Sequence, residues 1–186
     1  MRTLWVFAAC LAALLPASGQ NSHAGPQLTG FAARRAAFAA AWQLDLKRSK
    51  MGADHPGPGY AFTKTFELKG SSLMQKDHEV NVDIVGFAMP ERDSTAELVP
   101  DAREHTVERP GFFPGMPPTP TRVAVEWQGD NLIVSESSQS FIGAMTSSRR
   151  YYLSDDGSEL IELVVGRTQF GDSEQRLLFT RVAESH

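Results

Sequence analysis

Apolar and polar residues alternate along most of this chain with a period of two, the signature of strands that bury one face of a sheet. Trp42, Leu44 and Leu46 oppose Gln43 and Asp45, which predicts a first strand. Tyr60 to Lys69 alternates through Tyr60, Phe62, Phe66 and Leu68, and Gly70-Ser71 supplies a turn. Leu73 to Gln75 returns, and Glu79 to Phe87 carries Val80, Val82 and Ile84 on one face until Pro90 ends it. The C-terminal third is the most regular. Strands are predicted over Arg122–Gln128, Leu132–Glu136, Thr146–Leu153, Glu159–Val165 and Arg176–Val182. Gly129-Asp130-Asn131, Asp155-Asp156-Gly157 and Gly171-Asp172 separate them, and the glycines tolerate the positive φ of hairpin turns.

Two stretches break the period. Before the first strand, Thr29 caps an alanine-rich helix from Gly30 to about Ala41, with Phe31 and Phe38 one heptad apart on one face. This helix reads as a plug or cover on one end of the fold. In residues 90–120, Ala96–Val99 and His105–Val107 are short candidate strands. Pro110, Pro114, Pro117, Pro118 and Pro120 then forbid helix and central strand, leaving a stiff loop that carries Phe112, Phe113 and Met116. Short strands joined by local turns pair antiparallel. Eight to ten of them must close into a barrel or stack as a sandwich, because long open edges invite aggregation.

The N-terminus reads as an export signal. Arg2 precedes an apolar run from Leu4 to Leu15, Pro16 breaks it, and Ala17-Ser18-Gly19 places small residues around a cleavage site. The organisation expected is a signal peptide over 1–19, a flexible segment and helix over 20–41, and a barrel domain over 42–186. Cys10, the one cysteine, leaves with the signal, and no Asn-x-Ser/Thr acceptor occurs. Both features fit a bacterial periplasm, or secretion from a bacterium, better than a eukaryotic secretory route. No second apolar run reaches spanning length, so no stable membrane span is expected. The formal net charge of −4 offers no basic stripe for nucleic acid.

Two segments resemble small exported bacterial lipocalin-like proteins. Trp42 to Lys50 is similar to their W-x-L-[ND]-x-x-x-S-[KR] opening. Trp127 to Leu132 and Tyr151 or Tyr152 to Leu160 look like their W-x-G-D-x-L and Y-x-L-S-x-D-G-x-x-L ending, with Phe179-Thr180-Arg181 near the close. The usual glycine of the lipocalin G-x-W opening is Ala40 here, and the Pro-rich loop has no counterpart. The resemblance implies an all-β, mainly antiparallel, up-and-down lipocalin-like barrel with one N-terminal helix and an interior able to hold a small ligand. It supplies no catalytic residue.

Candidate chemistry is sparse. Asp54-His55, Asp77-His78 and Glu104-His105 pair acids with imidazoles, the donor set of zinc or copper. Their spacings match no ligand signature, and such pairs also arise on solvated loops, so no metal site and no cofactor is assigned. The serines around Ser135–Ser148 lack a nucleophile elbow, and no enzymatic activity is expected. Arg149-Arg150-Tyr151-Tyr152 is either an anion or aromatic contact inside a barrel, or one buried Tyr with an Arg stem along the sheet. Phe112, Phe113 and Met116 either cap a barrel mouth or form a small core beneath their own loop. Trp127 either closes the base or lines a pocket, and Tyr60 joins the pocket candidates. Two functions follow: a carrier of a small apolar or amphipathic molecule, or an envelope protein that docks an unknown protein partner through the Pro-rich loop or the helix.

Overall fold

The computed structural model describes residues 31–51, 59–84, 87–109, 116–140 and 143–183. Among the described residues one helix, α1 (Phe31–Phe38), precedes ten strands: β1 (Ala41–Leu44), β2 (Ala61–Lys69), β3 (Ser72–Ile84), β4 (Phe87–Leu98), β5 (Glu104–Arg109), β6 (Thr119–Gln128), β7 (Asn131–Ser140), β8 (Gly143–Leu153), β9 (Glu159–Thr168) and β10 (Gly171–Arg181). They form a single antiparallel sheet in the order β4-β3-β2-β1-β10-β9-β8-β7-β6-β5. Strands pair with their neighbours in sequence, except that β1 pairs with β10 and β4 has no ladder with β5. This is the expected up-and-down barrel, with an unpaired seam between β4 and β5.

The segment that opens the domain closes the barrel. Trp42 and Leu44 turn inward, and Gln43 lies opposite Thr180 of β10. Asp45 then accepts the backbone N–H groups of Lys47 and Arg48 at 3.0 and 3.2 Å, which shapes the turn. Arg48 bridges Asp45 (2.8 Å) and Glu159 (2.6 Å). Ser49 Oγ accepts the Leu178 N–H at 2.9 Å and donates to the Asp45 carbonyl at 2.7 Å. The polar positions of this segment therefore hold β1 against the last strands.

One face of every strand points into the barrel, and its apolar members form the core. Phe66, Leu73, Leu98, Leu132, Tyr151 and Leu160 are fully or almost fully buried. The helix seals this end. Phe38 has no exposed surface and meets Phe66 and Trp127 edge to face at 6.1 and 5.3 Å. The Phe38 carbonyl accepts the Trp42 indole N–H at 3.1 Å, and the Ala37 carbonyl accepts Arg181 at 2.6 Å, so two carbonyls of the last helical turn are satisfied. Arg34 reaches Asp130 at 3.1 Å, and the Arg35 guanidinium sits 5.6 Å from the Trp127 ring centre.

Four strands depart most from the sequence expectation. β3 is continuous through Lys76-Asp77-His78, because Asp77 faces a buried lysine rather than solvent. β4 runs through Pro90, which an edge strand tolerates since it need not donate on both sides. Opposite that proline Asn81 takes φ 55° and donates to the Gly59 carbonyl at 2.8 Å. β7 and β8 extend through the serine-rich stretch to Ser140 and from Gly143.

Candidate functional site: the charged layer of the barrel interior

The strand register places a second, polar set of side chains on the inward face, above the apolar floor. On β2 the inward series is Phe62, Lys64, Phe66, and opposite it on β3 stand Glu79, Asp77 and Gln75. On β8 the series is Arg149, Tyr151, Leu153, facing Val164, Glu162 and Leu160 of β9. These strands bring Lys64, Asp77, Tyr151 and Glu162 together at mid-barrel.

Lys64 is the centre of this layer. Its side chain is 1% exposed, and Nζ lies 3.1 Å from Glu162, 3.3 Å from the Tyr151 hydroxyl and 3.7 Å from Asp77. The rings of Tyr151, Phe62 and Phe179 surround the ammonium at 5.0, 5.2 and 5.9 Å. Burial alone favours the neutral amine. The carboxylate of Glu162, with Tyr151 and Asp77 beside it, outweighs that and holds the lysine pKa above its usual value. Burial raises the Asp77 carboxyl, against the pull of Lys64, and pushes the Tyr151 phenol up to about 12. At neutral pH Tyr151 is therefore a neutral donor and acceptor.

Above this layer the interior opens. Arg109 of β5 is ion-paired with Glu136 of β7, and Arg149 approaches the same carboxylate at 3.9 Å. Arg92 pairs with Glu79 at 2.6 Å. The Tyr60 hydroxyl donates to Glu79 at 3.4 Å, and burial followed by the Glu79 charge raises its pKa. Arg149 points inward from the middle of a strand, yet its side chain is 34% exposed; Arg109 is 30% exposed. Solvent reaches this half of the interior, whereas the floor below excludes it. Three polar atoms of the layer, Arg149 Nε, Asp77 Oδ1 and Glu162 Oε2, are enclosed without a hydrogen-bond partner, although Glu162 Oε2 keeps its ion pair with Lys64.

The residues singled out from sequence fall in different places. Tyr60 is half-buried against the core and belongs to the upper interior. Trp127 lies in the floor, beneath Arg35 and against Phe38. Met116 is half-buried, and Phe112 and Phe113 lie outside the described residues, as does His55. Arg149 and Tyr151 face inward while Arg150 and Tyr152 take the opposite face, so both readings of that tetrapeptide hold in part. His78 and His105 do not meet in one ligand set: His78 clusters with Glu91 and Asp93 within 4.8 Å, and His105 pairs with Asp101 at 3.0 Å. The hydrogen bond to Asp93 raises the His78 pKa.

Sequence reasoning missed Lys64 and Glu162, and it named Asp77 only as a partner of His78, whereas Asp77 faces Lys64. The one available signal was phase, since Lys64 occupies an inward position between Phe62 and Phe66. Two grooves, of about 380 and 400 Å³, lie on the outer face of the sheet. The smaller is lined by Arg122, Ser135, Ser137, Thr146, Ser148 and Arg167. The apolar lining expected of a ligand chamber is thus confined to the filled floor, and the accessible interior is charged.

No protein-family model matches the chain, and no curated protein matches it in sequence. Solved structures do match, and what they share with this chain is its fold. Zebrafish ileal bile acid-binding protein complexed with cholic acid superposes with a TM-score of 0.50 at 12% identity, over 78% of this chain and 99% of that one. Lipid binding protein 8 of Caenorhabditis elegans gives 0.52 at 10% identity, over 79% and 96%. Secretory abundant heat soluble protein 4 of Ramazzottius varieornatus gives 0.51 at 10% identity, over 85% and 100%. At these identities the likeness is one of fold.

Proposed function

We propose that this protein is an exported bacterial carrier that holds a small apolar or amphipathic molecule in the open half of its barrel and performs no chemistry on it. The observation that carries this reading is the two-storey interior. A floor of closely packed aromatic and aliphatic side chains, sealed by α1, supports a layer of buried polar groups, and above it inward-facing Arg149 and Arg109 remain accessible. A barrel built for rigidity alone has no use for interior ionic groups, because each costs desolvation. The secretory pattern of residues 1–19 and the loss of Cys10 with it support a periplasmic or secreted location. The helix is committed to the barrel through Phe38, which leaves the mouth rather than the helix as the working surface.

Native mass spectrometry of protein recovered from its own host's periplasm tests the proposal. The expected spectrum shows a chain shortened by its signal and carrying a non-covalent small-molecule adduct. A bare chain that also fails to take up any long-chain amphiphile added in vitro refutes it.

A further inference from the structure

We propose that the molecule held in this barrel carries an uncharged polar head, a hydroxyl or an amide on an apolar body, and that the interior selects against both carboxylates and amines. The inference rests on the carrier function proposed above and names its ligand class. It starts from the pairing of interior charges. Lys64 is held by Glu162 and Asp77. Arg92 is paired with Glu79, and Arg109 and Arg149 share Glu136. Among the described inward residues of these strands, four cations thus face four carboxylates, and no cation there lacks an acid.

A ligand carboxylate entering this space finds no unmatched positive partner. It must either sit desolvated beside Glu136 or strip an existing pair, and both are unfavourable in a partly water-excluded interior. An ammonium meets the mirror-image problem at the arginines. A hydroxyl or amide brings no net charge and both donates and accepts. The atoms left without a hydrogen bond in the layer are likewise of both kinds: one donor, Arg149 Nε, and two carboxylate oxygens, Asp77 Oδ1 and Glu162 Oε2, the last of them beside Lys64. The neutral Tyr151 hydroxyl already accepts from Lys64, and its own proton adds a further donor. Half-buried Val107, packed against the edge of the floor, and half-buried Val164, opposite Arg149, are the apolar surface that the body of such a molecule would meet.

The test uses one twelve-carbon chain with three heads: 1-monolauroylglycerol, laurate and dodecylamine. Each is titrated below its critical micelle concentration into the signal-free protein by isothermal calorimetry at neutral pH. The expected result is a Kd for the glyceride at least about tenfold below that of either ion. Tighter or equal binding of laurate or dodecylamine overturns the head-group inference while leaving a carrier. Binding of none of the three overturns the inference and the carrier function together. A second arm uses Glu136→Gln, which keeps shape and leaves Arg109 and Arg149 without their shared acid. With the near-ultraviolet circular dichroism unchanged, laurate affinity in this variant is expected to rise at least about tenfold relative to the glyceride. A variant that folds and shows no such swing overturns the inference.

Discussion

Replacing Glu162 by glutamine removes the nearer of two carboxylates that hold Lys64, and the structure sets the size of the consequence. The ammonium lies 3.1 Å from Glu162 and 3.7 Å from Asp77, with 1% of its side chain exposed. At an effective dielectric of about 20 the nearer contact is worth about 5 kcal/mol of attraction, set against several kcal/mol of desolvation for each ion. Removing one partner leaves the other buried and undercompensated, at a cost of about 3–5 kcal/mol. Glu162→Gln and Lys64→Met are each expected to lose about that much. The double variant leaves only Asp77, whose carboxyl burial already raises, and it should lose no more than either single change. The coupling energy is then at least about 3 kcal/mol. Urea unfolding followed by circular dichroism measures all four corners of the cycle, and an unchanged m-value checks that the denatured state is the same. Single losses below about 1 kcal/mol, or losses that add, would show that the lysine is not held as described.

Three further outcomes are expected. Phe38→Ala empties the floor beneath Trp127 and should destabilise by about 3–5 kcal/mol, with a red shift in tryptophan fluorescence; a loss within about 1 kcal/mol would show the helix to be dispensable. Ala102, between β4 and β5, takes φ 57°, so Ala102→Gly should relieve left-handed strain and gain about 0.5–1 kcal/mol net of glycine's entropy, read as a higher urea midpoint. Asp156 accepts Ser154 Oγ and Ser158 N and Oγ, which hold its pKa at about 2 against the usual 3.8. A lowered folded-state pKa stabilises above the unfolded value and loses that contribution as pH falls through the folded one. The melting temperature of Asp156→Asn should therefore trail the parent above about pH 4 and converge with it near pH 2; a gap independent of pH would remove the turn carboxylate from the account.

Much of the fold could be read from alternation, and its failures have a common cause. Val123, Val125 and Trp127 in β6 carry a strong period of two, as does the run from Ile161 to Val165, and these strands appear where expected. The pattern fades at Lys76-Asp77-His78 and across Ser135–Ser140, where inward positions hold Asp77 and Glu136 instead of apolar groups. A strand whose buried face is charged imitates a loop in sequence. Pro90 misleads for a different reason, since its penalty depends on whether a strand is central or at an edge, a property of the finished sheet. The candidate site was less legible. Alternation assigns Lys64 to the inward face between Phe62 and Phe66, but the apolar run Ile161, Leu163, Val165 points Glu162 outward, and only the register with Tyr151 turns it into the barrel. Lys64 and Glu162 differ widely in residue number, and only the closure of β1 on β10 brings their strands within reach.

That closure gives the molecule an unusual circular order. Gln43 and Thr180, 137 positions apart, sit side by side, while β4 and β5, joined by five residues, share no ladder. The first and last strands thus meet at a stitched boundary, and the unstitched one lies in mid-sequence. A permuted polypeptide that began at β5 and finished at β4 would convert every strand pairing into a local hairpin. Such a molecule would keep the same barrel but no longer wait for its two extremities to find each other, the step that topology makes slowest in the natural order.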